Sequence, residues 1–522
     1  MAAIETRHAL VQEPRVGVIP SLDQFRPRLE ARVPDLTPYL RATGERVINV
    51  SWKPIVIPSQ PMSLTDTIMR LTDAATEREI GWNGPPRTAI AVVDNTASEL
   101  RLFEDMRHGR DSLKFARALL PVYPQVMRST LEWLASQQGT RFDPMTEEEP
   151  GRILHESRSP GSEDVFGAPF PYYGSIDATP AFINAIIAYT KQEGRGFLKE
   201  LVHQRDGRWR TMEDALFAAV GALKRHMGNP EGIVEFQRTN PDGIENQGWQ
   251  DSQDAYFHRD GSMANHNDGI ASVEVQIESL NALLGFTELY PSDAIWTNRR
   301  MEQLADYVGN LWIKDDRGGF FALGTDRDEE GRMRRLEVLK SNSGYVLNSP
   351  LLDGDDPAIV QKREDLITTL FGPSMLNVSG IRTLSTDEIR FVPGAYHNGK
   401  VWPHDTNEII RGLDRQGYYG LANELRMRLL GISETTGLFP ESVRGDDDDE
   451  PTLNARVVDV ETLEGRRKRL EQPDQPVLAM TVGATSEAQH ALQEVQDRRR
   501  PAFATDPVKR RFEEEVLSSI AA

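Results

Sequence analysis

The chain has 522 residues, 39% of them hydrophobic and 27% charged, with a formal net charge of −20 and no cysteine. These values describe a globular protein of one very large domain or about two to four average ones, and they exclude wholesale disorder. The acidic balance repels a phosphate backbone, so no nucleic acid is expected as partner, and the lack of Cys removes disulfides, thiolate catalysis and Cys-ligated zinc.

The N-terminal stretch MAAIETRHALVQEPR has no apolar leader segment, and no run of about 18 apolar residues follows, so no membrane partner is expected and the cytoplasm is the default compartment. Residues 1–105 are rich in Pro and β-branched side chains, with extended-looking pieces RVINVSW and TAIAVVD, and read as an irregular, partly β N-terminal region. From about residue 110 the apolar period becomes helical. Met212, Leu216, Ala219, Val220 and Leu223 keep that period behind a capping pair, Thr211 and Asp214. Ile270, Val273, Ile277, Leu280 and Leu284 do the same, as do Met301, Leu304, Val308 and Leu311, and Tyr418, Leu421, Leu425 and Leu429.

Roughly ten to twelve such helices are predicted up to residue 497, joined by long loops rich in Gly, Asn, Asp and Trp. Long loops inside a compact domain are usually functional. Amphipathic helices without βαβ alternation indicate an all-α toroid of paired helices over 106–497. The acidic runs EEEP (147–150) and DDDDEP (446–451) read as solvated loops rather than cation sites. The charged tail 498–522 reads as a peripheral helix or as a contact in a homo-oligomer.

Several kinds of chemistry fit poorly. GAYHNGKV (394–401) has the spacing of a phosphate-binding loop, but Val401 stands where a magnesium-binding Ser or Thr is needed, and no helix is expected to follow, since Trp402-Pro403 bars a long one starting at Lys400. His397, His404 and Asp405 lie close in sequence, as do His258, Asp260 and His266, yet neither set has the helical spacing of a zinc motif, so no metal is expected. No G-x-S-x-G surrounds any Ser. What remains is a carboxylate pair on aromatic-bearing loops: Trp249 precedes Asp251 in GWQDS, and Phe439 precedes Glu441 in GLFPES. An aromatic face beside planar acceptors suits a sugar ring, and two carboxyls are the minimum machinery for cleaving a glycosidic bond.

Nine stretches carry a resemblance. GRDSLKFARALLP (109–121), EPGRILHESR (149–158), FPYYGSIDATPAFI (170–183), NQGWQDSQDA (246–255), VEVQ (273–276), SNSGYVL (341–347), SGIRTLS (379–385), PGAYHNGKVWPHD (393–405) and GLFPES (437–442) follow one another over most of the chain. In wording and order they resemble the signature loops of amylo-α-1,6-glucosidase domains of glycogen debranching enzymes. Those are similar in turn to the mannosylglycerate and glucosylglycerate hydrolases of glycoside hydrolase family 63.

The resemblance implies an (α/α)6 barrel and an inverting α-glycosidase that needs no cofactor and takes a small-molecule or oligosaccharide α-glycoside. By matching position, Asp251 is the implied general acid and Glu441 the implied general base. Trp249, Gln247, Gln276, Tyr396, His397, Asn398, Trp402 and His404 match positions that line the sugar site, and Arg110, Asp111, Glu156, Tyr173 and Asp177 match other inward-facing ones. An inverting pair stands about 6.5 to 9.5 Å apart, with the acid's pKa raised by burial or by a carboxylate such as Asp254, and with the base ionised.

The chain departs from the family's pattern in four places. Ahead of GRDS it reads LRLFEDMRH where the family has an aromatic stretch with Pro-Trp-Phe. The first hundred or so residues are too few for the family's extra N-terminal module. Lys400 replaces a usual Ser, a cation suited to an anionic aglycone such as glycerate. The closing Gln-Ala-Trp is reduced to Gln489 in LAMTVGATSEAQHAL. A sugar phosphorylase or epimerase on the same barrel, or an inactive sugar-binding protein, are the alternative readings.

Overall fold

Helix follows helix from Gly109 to Ala521 in the computed structural model, which describes residues 46–55, 63–68, 107–157, 170–447, 449–462, 465–475 and 477–521. The helices are α1 (Gly109–Leu119), α2 (Pro124–Gln137), α3 (Ala178–Glu193), α4 (Met212–His226), α5 (Val273–Leu289), α6 (Ala294–Asn310), α7 (Pro357–Leu370), α8 (Pro403–Gln416), α9 (Tyr419–Thr436), α10 (Ala479–Gln496) and α11 (Pro507–Ala521). A 3-10 segment, Ser341–Asn348, stands between α6 and α7.

Burial divides these elements into two kinds. α1, α8 and the Ser341–Asn348 segment bury nearly every side chain, including charged ones, whereas α6 buries one narrow stripe and α11 only Glu513 and Val516. An element covered on all faces lies inside others, and one with a single apolar stripe lies outside. Packing follows that division: α1 rests on α3, α3 on α5, α5 on Ser341–Asn348, that segment on α8, α8 on α10, and α10 on α1 again. The remaining helices back onto this closed circuit, α2 onto α1 and α3, α4 onto α3, α6 onto α5, α7 onto the 3-10 segment, and α9 onto α8 and α10.

Connection lengths decide where loops gather. Returns 120–123, 290–293, 349–356 and 417–418 are short, while 138–177, 227–272, 311–340, 371–402 and 437–478 are long. Each long connection leads into the N-terminus of an inner element, so these loops collect at one end of the circuit, where unpaired helix N–H groups and loop side chains can meet a ligand.

The helical periods predicted around Met212, Val273, Met301 and Leu421 lie in α4, α5, α6 and α9. Thr211 caps α4, its side chain accepting from the Asp214 N–H while Asp214 accepts from the Thr211 N–H in return. RVINVSW forms β1 (Arg46–Ile55); TAIAVVD lies outside the described residues. Two further pairs of strands matter. β2 (Lys400–Val401) pairs with β3 (Val443–Arg444), and β4 (Leu453–Glu461) is the centre of an antiparallel sheet between β1 and β5 (Arg467–Pro473). Among the described residues no helix is long and apolar enough to cross a membrane.

Two expectations need correction. A helix does follow GAYHNGKV: α8 begins at Pro403, because proline at the first helical position gives up an N–H that has no intrahelical partner anyway. The EEEP run is not solvated. Glu147 accepts from Tyr172 and Gln247, Glu148 pairs with Arg205 and Glu149 with Arg152, so all three carboxylates serve as internal anchors for the loop around them. In the second acidic run, Arg444 holds Asp446 and Arg382 holds Asp447.

The tail of the chain is part of the helical packing. Glu513 of α11 accepts from the Gly420 N–H at 2.7 Å and the Ala504 N–H at 2.7 Å, seating α11 on the start of α9.

Candidate active site

Gly109 opens α1 where a Cβ would stand 2.1 Å from the Leu154 carbonyl oxygen, so the first residue of GRDS has to be glycine. This close approach points Arg110 into the loop end of the circuit. Its Nη1 donates to Asp177 at 3.0 Å and its Nη2 to Asp251 at 3.1 Å, while Asp111 lies 3.6 Å from its Nε. Asp177 sits at the N-terminus of α3 and also accepts from the Ser175 hydroxyl at 2.7 Å. One guanidinium thus ties two helix starts to the 246–255 loop.

That loop is closed on itself by Asn246, whose amide donates to the Ser252 carbonyl at 2.8 Å and whose oxygen lies 2.8 Å from His266 Nε2. Asp251 emerges partly open, its side chain 27% exposed, between Arg110 and the Ser252–His397 contact. Burial raises its pKa from 3.8 to about 6; Arg110 pulls it down, and Asp111 and Asp177 push it up. The neighbouring carboxylates that matter are therefore Asp111 and Asp177, where the sequence had pointed to Asp254.

The Ser252 N–H donates to His397 Nδ1 at 3.1 Å, and burial with Lys340, Arg110 and Lys400 around it keeps this ring neutral, which places its proton on Nε2. His397 stacks on Trp402 at 5.3 Å, and the Trp402 indole N–H donates to the Tyr396 carbonyl at 2.9 Å. Trp249 is buried among Tyr345, Trp402, Leu478 and Met480, edge-on to Trp402 at 5.8 Å and to His404 at 4.9 Å. Gly399 permits the tight turn beneath this aromatic group, since a Cβ there would fall 1.7 Å from the Val392 carbonyl oxygen.

Glu441 is reached from the other side. β3 follows it and pairs with β2, and the Pro440 carbonyl accepts from Thr481 of α10 at 2.8 Å. The Glu441 N–H donates to the Gln475 carbonyl at 2.8 Å, and the Gln475 N–H faces Glu441 Oε2 at 3.5 Å. The Tyr396 phenol donates to Glu441 Oε1. Burial and the Asp474 carboxylate raise the pKa of Glu441 to about 7, against Lys400 and the Tyr396 hydrogen bond, so its surroundings do not hold it ionised as firmly as the sequence reading expected. Tyr396 feels the charges of both Glu441 and Asp251, with its hydroxyl bonded to the first and within electrostatic reach of the second.

The other predicted residues fall into place around this core. Lys400 is 1% exposed, donates to Asp474 at 2.6 Å and lies 4.9 Å over the Tyr396 ring. Asn398 donates to the Asp254 carbonyl at 2.7 Å and accepts from Lys340 at 3.0 Å. Several amides and hydroxyls are spent on loop anchoring: Gln247 between Arg152 and Glu147, Gln276 on both backbone groups of Val234, Tyr173 on the Gln137 carbonyl. Glu156 lies 3.4 Å from His108, and with His155 these side chains are a group that could hold a metal ion. Burial lowers the His108 pKa but Glu156 and Asp111 outweigh it, so the net shift is upward, and the Arg110 and Arg152 charges that act on His155 oppose a cation there.

Four residues were not singled out from the sequence. Lys114 of α1 lies 3.4 Å from both the Tyr345 hydroxyl and His404 Nδ1, beneath Trp249; both Lys114 and Tyr345 stood inside quoted motifs, which was their signal. Asp474 and Gln475 follow β5 in a polar stretch with no motif, so nothing in the sequence marked them.

Scans against family models and against curated proteins find no match. Solved structures do match. A GH63 mannosylglycerate hydrolase from Thermus thermophilus in complex with Tris aligns with a TM-score of 0.51 at 13% identity, over 81% of this chain and 100% of that one. The same hydrolase with Tris and D-glycerate gives 0.50 at 12% identity, over 82% and 100%. An uncharacterized conserved protein from the same organism gives 0.50 at 13% identity, over 82% and 98%. At such identities the likeness is one of fold, and the chain shares the fold of these proteins.

Proposed function

We propose that the chain is an inverting glycoside hydrolase that cleaves an α-glucosidic or α-mannosidic bond in a short glycoside. The closed circuit of inner elements is read as the inner ring of an (α/α)6 barrel over 106–497, with 1–105 as a partly β N-terminal region and 498–522, which holds α11, as a C-terminal tail docked on α9. The observation that carries this reading is that two carboxyls, Asp251 and Glu441, act on one aromatic side chain, Tyr396, which is hydrogen-bonded to Glu441.

Asp251, partly open and raised to about 6, is suited to hold a proton for the glycosidic oxygen. Glu441, buried and raised, is a stronger base than a solvated carboxylate and takes a proton from the attacking water. In the reaction water adds to the anomeric carbon, one water proton passes to Glu441, the C–O bond to the aglycone breaks, and the Asp251 proton goes to the leaving oxygen. Both groups then return to their starting states by exchange with solvent. Arg110 holds Asp251 in place, and His397 fixes the backbone beside it. The fold shared with a mannosylglycerate hydrolase supports a small glycoside, with glycerate as one aglycone class to test.

The decisive experiment is NMR of the first-formed product from a panel of α-glucosides and α-mannosides, including glucosylglycerate and mannosylglycerate, with and without phosphate. A β-anomer released without phosphate is the expected result. An α-anomer would overturn inversion, a sugar 1-phosphate would make the protein a phosphorylase, and binding by calorimetry without turnover would leave a sugar-binding protein.

A further inference from the structure

Lys400 and Asp474 form a buried ion pair beside Glu441 that the carbohydrate chemistry leaves unused. Lys400 Nζ donates to Asp474 Oδ1 at 2.6 Å, and Asp474 Oδ2 accepts from the Ser442 hydroxyl at 3.4 Å. Both side chains are nearly enclosed, Lys400 at 1% and Asp474 at 8% exposure. The Lys400 ammonium also lies over the ring of Tyr396, whose hydroxyl donates to Glu441.

The backbone holds the pair in register with Glu441. Residues 441 and 475 share hydrogen bonds in both directions, β2 carries Lys400 against β3, and the Asp474 N–H donates to the Asn454 carbonyl at the start of β4 at 3.0 Å. Arg444 and Gly394 in turn hold Asn454, whose amide oxygen accepts at 3.1 Å and whose amide nitrogen donates at 3.3 Å. A lysine so enclosed and so close to a carboxylate cannot swing out to a ligand without leaving Asp474 uncompensated, which is costly inside a protein.

We propose that Lys400 and Asp474 are positioning residues for the base, an ion pair that seats Tyr396 against Glu441 and balances the charge around its carboxylate. The proposal rests on Glu441 being the base. It turns the Lys in place of the family's Ser from an aglycone contact into part of the base's setting, and it brings in a residue, Asp474, from a segment with no motif.

Groups acting on Glu441 are Asp474 from the end of β5, Lys400 from β2 and Tyr396 from the preceding loop; Asp251 acts in turn on Tyr396, and Lys400 and Arg110 on His397. Of these, Asp474 raises the Glu441 pKa while Lys400 and Tyr396 lower it. Removing one member of the pair therefore leaves an unbalanced charge of known sign. In D474N the remaining ammonium favours ionised Glu441, and in K400M the remaining carboxylate favours its protonated form. A neighbouring charge of this kind moves a pKa by about one unit or more.

The test is the acid limb of kcat/KM for K400M, D474N and the double variant, read on whichever glycoside of the panel is turned over. In parallel, carboxyl-13C glutamate NMR titrations use the resonance absent from E441Q to follow Glu441 without any turnover. The expected result is a shift of about one pH unit upward in K400M and downward in D474N, with the double variant near wild type. Shifts in the same direction, or none, would overturn the pairing, because a purely structural role lowers activity without moving the two limbs apart. If E441Q itself keeps wild-type turnover, the assignment of the base fails first; if E441Q is inactive and the limbs do not diverge, only this inference fails. Should K400M fold poorly, K400R preserves the charge and is expected to keep the wild-type limb.

Discussion

Tyr396 donates its phenol hydrogen to Glu441 and also lies in the field of Asp251, so one side chain senses both carboxyls. A hydrogen bond to a charged acceptor contributes about 1.5 to 3 kcal/mol. Y396F should accordingly lower kcat by about 10- to 100-fold, since each 1.4 kcal/mol is tenfold. Because this bond lowers the Glu441 pKa, its loss should also move the acid limb to higher pH. A steady-state pH profile of the variant checks both.

The two proposed roles predict different responses to the leaving group. D251N should lose about 100- to 10,000-fold in turnover of glycosides with an alcohol aglycone, the usual contribution of general acid catalysis. It should keep far more activity on a glycosyl fluoride, because fluoride departs without a proton. E441Q should be equally poor on both substrates. Comparing kcat/KM for each variant on the two substrates separates acid from base.

The expected optimum lies on the acid side of neutrality, between about 6 and about 7. The acid form of Asp251 is lost as pH rises through about 6, and the base form of Glu441 is lost as pH falls through its raised pKa. With both groups raised, kcat/KM should follow a bell whose limbs lie close together, each of unit slope. A broad plateau extending down to pH 4 would contradict the burial of Glu441.

Arg110 bears on stability as well as on the acid. R110M removes the partner of Asp177 and Asp251, and leaving a buried carboxylate uncompensated costs about 3 to 5 kcal/mol. Tm should fall sharply. Asp251, freed from a cation that lowers its pKa, should show a basic limb at higher pH. Thermal unfolding and the pH profile are the readouts.

A control lies far from the chemistry. T211A deletes the side-chain cap of α4 and should destabilise by about 1 kcal/mol with kcat unchanged.

Legibility from sequence followed how local the physics was. The Thr211–Asp214 cap and the apolar periods of α4, α5, α6 and α9 depend on neighbours within a few residues, and a reader of the sequence has those in hand. Lines of polar residues are ambiguous because their partners are distant: Glu147 and Glu148 read as solvated until Gln247 and Arg205 come against them. The same holds for Gln276, which pairs with the backbone of Val234, and for Lys400, whose partner Asp474 lies 74 positions away. Asp251 and Glu441 were marked by the wording of their loops, whereas the electrostatic setting of Glu441 depends on a segment that carries no wording at all.

That segment ends β5, and β5 is held by β4, which pairs along its length with β1; Asn49 and Asp459 join across 410 positions of chain. The surroundings of Glu441 are therefore completed by the first described strand and nearly the last. The segment that carries Asp474 and Gln475 keeps its place through β4 and β1, a strand from the opposite end of the described chain. Among the described residues the surroundings of Glu441 are thus tied to a strand pairing that closes a loop of 410 positions, a contact whose closure entropy is large.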